Sequence, residues 1–240
     1  MNKQRVAYVV IPFLSMVLAL FICYWLNQKY AEANGIVGID YSFVFQSFND
    51  AVPFLAWTVY PYVMAFVFWP FAFFYVGYRS KEGLYKLLLV GLVTFAIFGI
   101  WYFFFQSDVQ AWRETSGLFD PSRTDFTFTE RFMKLIYDTA GPRNALPSTH
   151  CLMCWIAICG VRMDKKMPLP AKIGLWTMSL IIMFVTQTTK QHYIIDLIVA
   201  VAICEIVFQI VQHTNSWMKL RDAYSKLNRR LGLDWDGITE

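Results

Sequence analysis

Six apolar runs separated by polar segments constrain this chain more than any other feature: 6–26, 53–78, 87–105, 148–161, 173–186 and 192–212. About 20 apolar residues in a helix cross the hydrocarbon core of a bilayer. Composition agrees, with 57% hydrophobic and only 16% charged residues, where a soluble domain carries about 25% charged. The expected fold is therefore all-α, a polytopic membrane protein built as a six-transmembrane-helix bundle. The length suits one membrane domain over 1–240 and no second domain. Residues 213–240 form a basic tail, and no internal repeat or low-complexity segment is evident.

The first run has features of a signal peptide, with Lys3 and Arg5 ahead of it and Ala31-Glu32-Ala33 behind. It is longer than a usual signal core, and residues 25–30 intervene before that site, so an uncleaved span is expected. Lysine and arginine placement sets orientation. Fourteen of the 21 lie in one set of loops and the tail: Lys3 and Arg5, then residues 79–86, 162–172 and 219–230. These expectations put both termini in the cytoplasm of a protein integral to a plasma or inner membrane. The tail cations Lys219, Arg221, Lys226, Arg229 and Arg230 read as a basic helix on anionic lipid headgroups. The partner expected is the lipid bilayer, not nucleic acid.

The third connection, 106–146, is long and on the outer side. Within it Phe128, Phe132, Leu135 and Ile136 have helical spacing, which predicts a short helix on the outer interface. Five cysteines lie in apolar runs, and Cys151 and Cys154 form a Cys-x-x-Cys. Such a pair elsewhere suggests redox chemistry or zinc. Inside a span, with no second pair nearby, small packing residues are the expected role. No cofactor and no metal are expected, because no clustered carboxylates suggest a divalent ion.

The chemistry concentrates on two of three histidines. His150 stands near the outer start of the fourth run and His192 at the outer start of the sixth, so the topology brings them to one membrane face. His213 is at the opposite end. Asp196 follows His192 by four residues and shares its helical face. A carboxylate there accepts a proton from one imidazole nitrogen and leaves the other lone pair free to attack. An acid inside a span is costly and marks function by default, although a buried Asp paired for packing satisfies the same spacing. Pro147-Ser148-Thr149-His150 reads as a helix start, which favours phosphate at its free N–H groups and is also an ordinary N-cap. Ser148 adds a hydroxyl donor. Lys190, two residues before His192, and Arg143, just ahead of Pro147, are the cations best placed for phosphate. Arg123, Arg131 and Lys134 are expected to face solvent or headgroups.

These residues resemble the type 2 phosphatidic acid phosphatase superfamily, a six-span, metal-independent, histidine-based group. Its Pro-Ser-x-His motif is matched by Pro147, Ser148 and His150. Its His-x-x-x-Asp motif is matched by His192 and Asp196. The wording around Lys190-Gln191-His192-Tyr193 and Val52-Pro53-Phe54-Leu55-Ala56-Trp57 is similar to the branch holding inositol phosphorylceramide synthase-like proteins. Two features depart from the family. Its first motif, a lysine followed by Arg-Pro, is missing, and Arg113 is the nearest stand-in. Val185-Thr186 occupies the register of an upstream Ser-Arg, with Lys190 as the replacement cation.

The resemblance implies that His192 attacks phosphorus, Asp196 orients it, and His150 protonates the leaving alkoxide. Ser148, Lys190, Arg143 and Arg113 would neutralise the phosphate oxygens. With water as acceptor the expected function is a membrane lipid phosphate phosphatase, acting on a phosphomonoester or diphosphate at the non-cytoplasmic face. With an alcohol such as inositol it is a lipid phosphotransferase. A non-enzymatic transporter, using Glu205 as an intramembrane acid, is the third reading.

Overall fold

The computed structural model describes residues 3–233, so the last residues of the predicted tail, 234–240, lie outside them. Among the described residues the chain is helical, with isolated bridge pairings Ile39–Ser107 and Asp108–Arg143 in place of named strands. Helix α1 (Lys3–Leu20) continues through a π-helical segment (Phe21–Leu26) into α2 (Asn27–Ala33). After α3 (Gln46–Ala51) and a 3-10 turn (Ala56–Thr58) come α4 (Val59–Arg79) and α5 (Lys81–Phe104). The long connection holds α6 (Gln110–Glu114) and α7 (Phe128–Ala140). Then follow α8 (Thr149–Met163), α9 (Leu169–Thr188), α10 (Ile194–Gln212) and α11 (Ser216–Arg230).

Among the described residues, five helical stretches are long and apolar enough to cross a membrane: Gln4–Ala33, Ala56–Arg79, Lys81–Phe104, Leu169–Thr188 and Ile194–Gln212. The fourth predicted run corresponds to α8, only 15 residues long. At 1.5 Å per residue that helix covers about 22 Å, short of the roughly 30 Å hydrocarbon core. The reason is its location. Most of α8 is buried, from Thr149 and His150 through Cys159, Gly160 and Val161, so protein and not lipid surrounds it.

Two glycines let the neighbours of α8 close in. A Cβ on Gly160 would stand 2.7 Å from the Val76 side chain of α4, and one on Gly91 of α5 would stand 2.3 Å from Met16 of α1. A side chain at Gly160 would press on the stiff Val76 and push α4 and α8 apart, whereas one at Gly91 would have to displace the flexible end of Met16. Cys151, Cys154 and Cys159 are buried, free thiols of this core.

Helix α7 begins with a capping box. The Thr127 hydroxyl accepts from Glu130 N, and the Glu130 carboxylate accepts from Thr127 N. Those bonds hold the Glu130 carboxyl below its ordinary pKa, with Arg123 adding to them. The helix buries Met133 and Tyr137 and exposes Phe128 and Leu135. Helix α11 folds back against α5 and α1. Trp217 and Asn228 are buried, Tyr224 Oη donates to Ser15 Oγ at 2.7 Å, and Lys219, Lys226, Arg229 and Arg230 face outward.

Candidate active site

The turn between α9 and α10 positions His192. Thr186 O accepts from Gln191 N at 3.0 Å and from His192 N at 3.1 Å, reversing the chain tightly. Lys190 takes φ +52° to make that reversal, a left-handed conformation that costs a non-glycine residue of order 1 kcal/mol and clusters at functional sites.

His192 Nδ1 lies 2.9 Å from Ala145 O and 3.3 Å from Asp196 Oδ2. A carbonyl oxygen can only accept, so Nδ1 carries the hydrogen and donates. In the neutral ring the free lone pair is then on Nε2. Asp196 is itself held, because its Oδ2 accepts from Tyr193 N at 3.0 Å, while Oδ1 has no partner among the described residues.

Ala145 depends on the end of α5 and the residues after it. Ser107 Oγ accepts from both Ala145 N and Leu146 N at 2.8 Å, and Gln106 Oε1 accepts from Asn144 N at 2.8 Å. Tyr102 Oη donates to Pro147 O. Ser148 N then donates to Asp196 O at 3.1 Å, tying the entry of α8 to the first turn of α10. The Ser148 hydroxyl caps α8 by accepting from Cys151 N at 3.2 Å. These bonds are why α8 and α10, which run parallel, begin at the same level.

His150 consequently faces His192, with ring centroids 6.0 Å apart. An aromatic box holds the His150 ring. Tyr62 stacks on it at 4.4 Å, and Trp69 and Phe66 present edges at 4.9 and 5.8 Å. Its Nε2 is buried and has no hydrogen-bond partner among the described residues. It also lines an apolar cleft of about 150 Å³ between α4, α7, α8 and the π-helical segment.

The four expected phosphate ligands occupy different positions. Ser148 is fully buried beside Asp196. Arg113, on α6, is 3% exposed. It donates to Gln191 Oε1 and, at 3.4 Å, to Tyr137 O, and lies over the Tyr137 ring at 4.9 Å. It has no ion-pair partner among the described residues, and burial pulls its pKa down. Lys190 donates to Val52 O at 2.6 Å and covers the Trp112 ring at 4.4 Å. Burial lowers its pKa too, with Asp50 opposing. Arg143 is half-buried and donates through Nε to Ile36 O at 3.0 Å, at the far side of the loop that carries Ala145.

Three residues around the histidines escape a reading of the sequence. The Ala145 carbonyl carries no side-chain signal. Tyr62 and Trp69 sit in an aromatic-rich span where nothing distinguishes them. Gln191 could have been noticed as an amide wedged between Lys190 and His192. It holds Arg113 through Oε1, and its Nε2 is buried without a partner among the described residues. His213 Nδ1 donates to Gln209 O at 2.8 Å, at the opposite end of α10. Glu205 is also at that end, gripped by Arg162 at 2.5 and 2.9 Å.

The fold and site define an all-helical bundle of long apolar helices with a carboxylate-oriented histidine facing a second histidine, and comparison of the chain with known families supplies the class. Residues 28–210 match the PAP2 superfamily, and the chain belongs to it. That family comprises phosphatase-type enzymes of lipid phosphates. No curated protein and no solved structure matches the chain.

Proposed function

We propose that this protein hydrolyses a lipid phosphomonoester through a phosphohistidine on His192. The observation that carries the reading is the double grip on His192 Nδ1 by Ala145 O and Asp196 Oδ2, opposite His150. It leaves Nε2 as the nucleophile.

In the first half-reaction His192 Nε2 forms a bond to phosphorus as the ester P–O bond breaks. His150, protonated at that moment, gives its proton to the departing alkoxide. In the second, His150 takes a proton from water as the water oxygen attacks phosphorus and the P–N bond breaks. Asp196 stabilises the cationic imidazole formed in between. Arg113, desolvated and without a close ion-pair partner among the described residues, is the main cation offered to the phosphoryl oxygens, where a fixed donor in a dry site has its largest effect. Ser148 and Lys190 add to it, and Arg143 steadies the loop next to Ala145.

The same reading assigns the membrane frame. Helix α8 with segment 142–148 makes the sixth crossing. The histidines face the non-cytoplasmic side, with α7 at that interface. Both termini and the basic face of α11 are cytoplasmic, which agrees with the distribution of lysine and arginine.

The test is phosphate release from several lipid phosphates by purified protein in detergent, in chelator, with and without inositol. Hydrolysis that disappears in His192→Ala supports the reading. Phosphate transferred to the alcohol with little release identifies a phosphotransferase instead. No His192-dependent turnover in any mixture rules out both.

A further inference from the structure

Two apolar cavities, each about 150 Å³, lie one below the other along α1 and α4. The upper one is lined by Tyr24, Trp25, Tyr62 and His150. The lower one is lined by Phe13, Met16, Val17 and Phe73. They share a wall of Leu20, Phe66, Trp69 and Met153. We propose that together they hold one acyl chain of the lipid substrate, running from His150 to a floor at Phe13 and Phe73. This rests on the lipid-phosphate reading above and adds where the chain lies and what limits its length.

The dimensions fit that occupant. From Tyr24 in the π-helical segment to Phe13 on α1, or from Tyr62 to Phe73 on α4, is eleven residues, about 16 Å of helix. One leaflet of a hydrocarbon core is about 15 Å deep. A chain whose phosphate sits between His150 and His192 therefore reaches the floor at the depth where its own leaflet ends.

The groove is open on its side. Val17, Trp25 and Phe66 line it and are 44, 38 and 55% exposed, so a lipid can enter laterally from the bilayer. Its upper wall includes the π-helical segment Phe21–Leu26; such segments are rare and frequent at functional sites. The floor is an aromatic cluster, Phe13 packing against Phe73 at 5.9 Å and Phe74 at 5.1 Å between centroids. The α1 wall, residues 13–25, lies outside the 28–210 region shared with the superfamily. The α4, α7 and α8 walls lie within it, so the groove joins a wall of this chain's own to walls the match covers.

The experiment uses the full chain with a single-chain glycerol phosphomonoester carrying a diazirine, either next to the glycerol or at the chain end. After photolysis the labelled residues are mapped. The groove requires the first probe to mark Tyr24, Trp25 or Tyr62, and the second to mark α1 near Phe13 and Met16 or α4 near Phe73. In parallel, Leu20→Trp narrows the shared wall, and the ratio of kcat/KM for long-chain over short-chain substrate falls about tenfold. Leu180→Trp, on the exposed side of α9, leaves that ratio at the wild-type value. Should Leu20→Trp not fold, the labelling of the wild-type chain still decides.

Hydrolysis with label elsewhere, or an unchanged ratio in folded Leu20→Trp, overturns the groove and spares the phosphatase reading. Label in the groove without hydrolysis of any chain length does the reverse. Label elsewhere and no hydrolysis removes both.

Discussion

The two ends of the α8–α10 pair treat their polar groups in opposite ways. Where the helices finish, charges are matched. Arg162 and Glu205 form a bidentate pair that Trp155 Nε1 joins at 2.9 Å. Arg79 pairs with Asp164 at 2.5 Å and also donates to Lys166 O. Lys86 reaches Glu82 and Gln212. Where the helices begin, groups are buried and left short of partners: Arg113 Nε, His150 Nε2, Gln191 Nε2 and Asp196 Oδ1. Native proteins leave few buried polar atoms unsatisfied, because each costs about 1–3 kcal/mol. One end therefore spends its polar groups on holding helices together, and the other leaves polar atoms unpaired, as the proposed phosphate site requires. The same contrast weakens a transport role for Glu205, which is committed to Arg162.

If that contrast is right, substitutions at the two ends separate activity from stability. The largest effect is expected from Arg113→Ala, which removes the buried cation and lowers kcat/KM by about a hundredfold. Arg113→Lys restores little, because an ammonium lacks the planar fork that meets Gln191 and a phosphoryl group together. A loss of only a few-fold in Arg113→Ala would show that phosphate is neutralised elsewhere.

Lys190 gives the next effect, read in pH. Burial disfavours its cation, so its proton leaves at lower pH than from an ordinary lysine. If the cation is needed for phosphate, kcat/KM falls as pH rises through that lowered pKa. Lys190→Arg, which keeps its charge, shifts this alkaline limb upward. An alkaline limb at the same pH in the variant would assign it to another group.

At the paired end, Glu205→Gln breaks the grip on Arg162 and lowers Tm. The activity of the folded fraction stays within about twofold, since the histidines are remote. Activity lost in proportion to an Arg113 variant would erase the distinction between the ends. The smallest effect is expected at the α7 cap, where Thr127→Ala costs about 1 kcal/mol of stability, measured by thermal unfolding, with little change in activity.

How much of this the sequence carries depends on whether the signal is local. The His192–Asp196 pairing is legible, because an i, i+4 spacing on a helix is a distance. The capping of α8 by Ser148 is legible for the same reason. Apolar runs mark the bundle but blur α8, whose short length makes sense only when its burial is known. What is not legible is backbone. Ala145 O holds the His192 tautomer, Val52 O takes the Lys190 ammonium, and Ile36 O takes the Arg143 guanidinium. Carbonyls look alike at every position, and only tertiary structure shows which ones meet a side chain. Arg113 was visible as a cation near the right span, but its lack of an acid partner required the three-dimensional surroundings.

The central claim is that His192 carries the phosphoryl group. The most direct measurement is a rapid quench of the wild-type chain with a lipid phosphate labelled in its phosphoryl group, followed by mapping of the labelled peptide. The account predicts an acid-labile, base-stable label on His192, absent in His192→Ala and, in His150→Ala, formed more slowly for want of the acid but long-lived once formed, because the base for the second half-reaction is gone. Turnover in the wild type with label on another residue, or with no covalent intermediate under any quench, would contradict it.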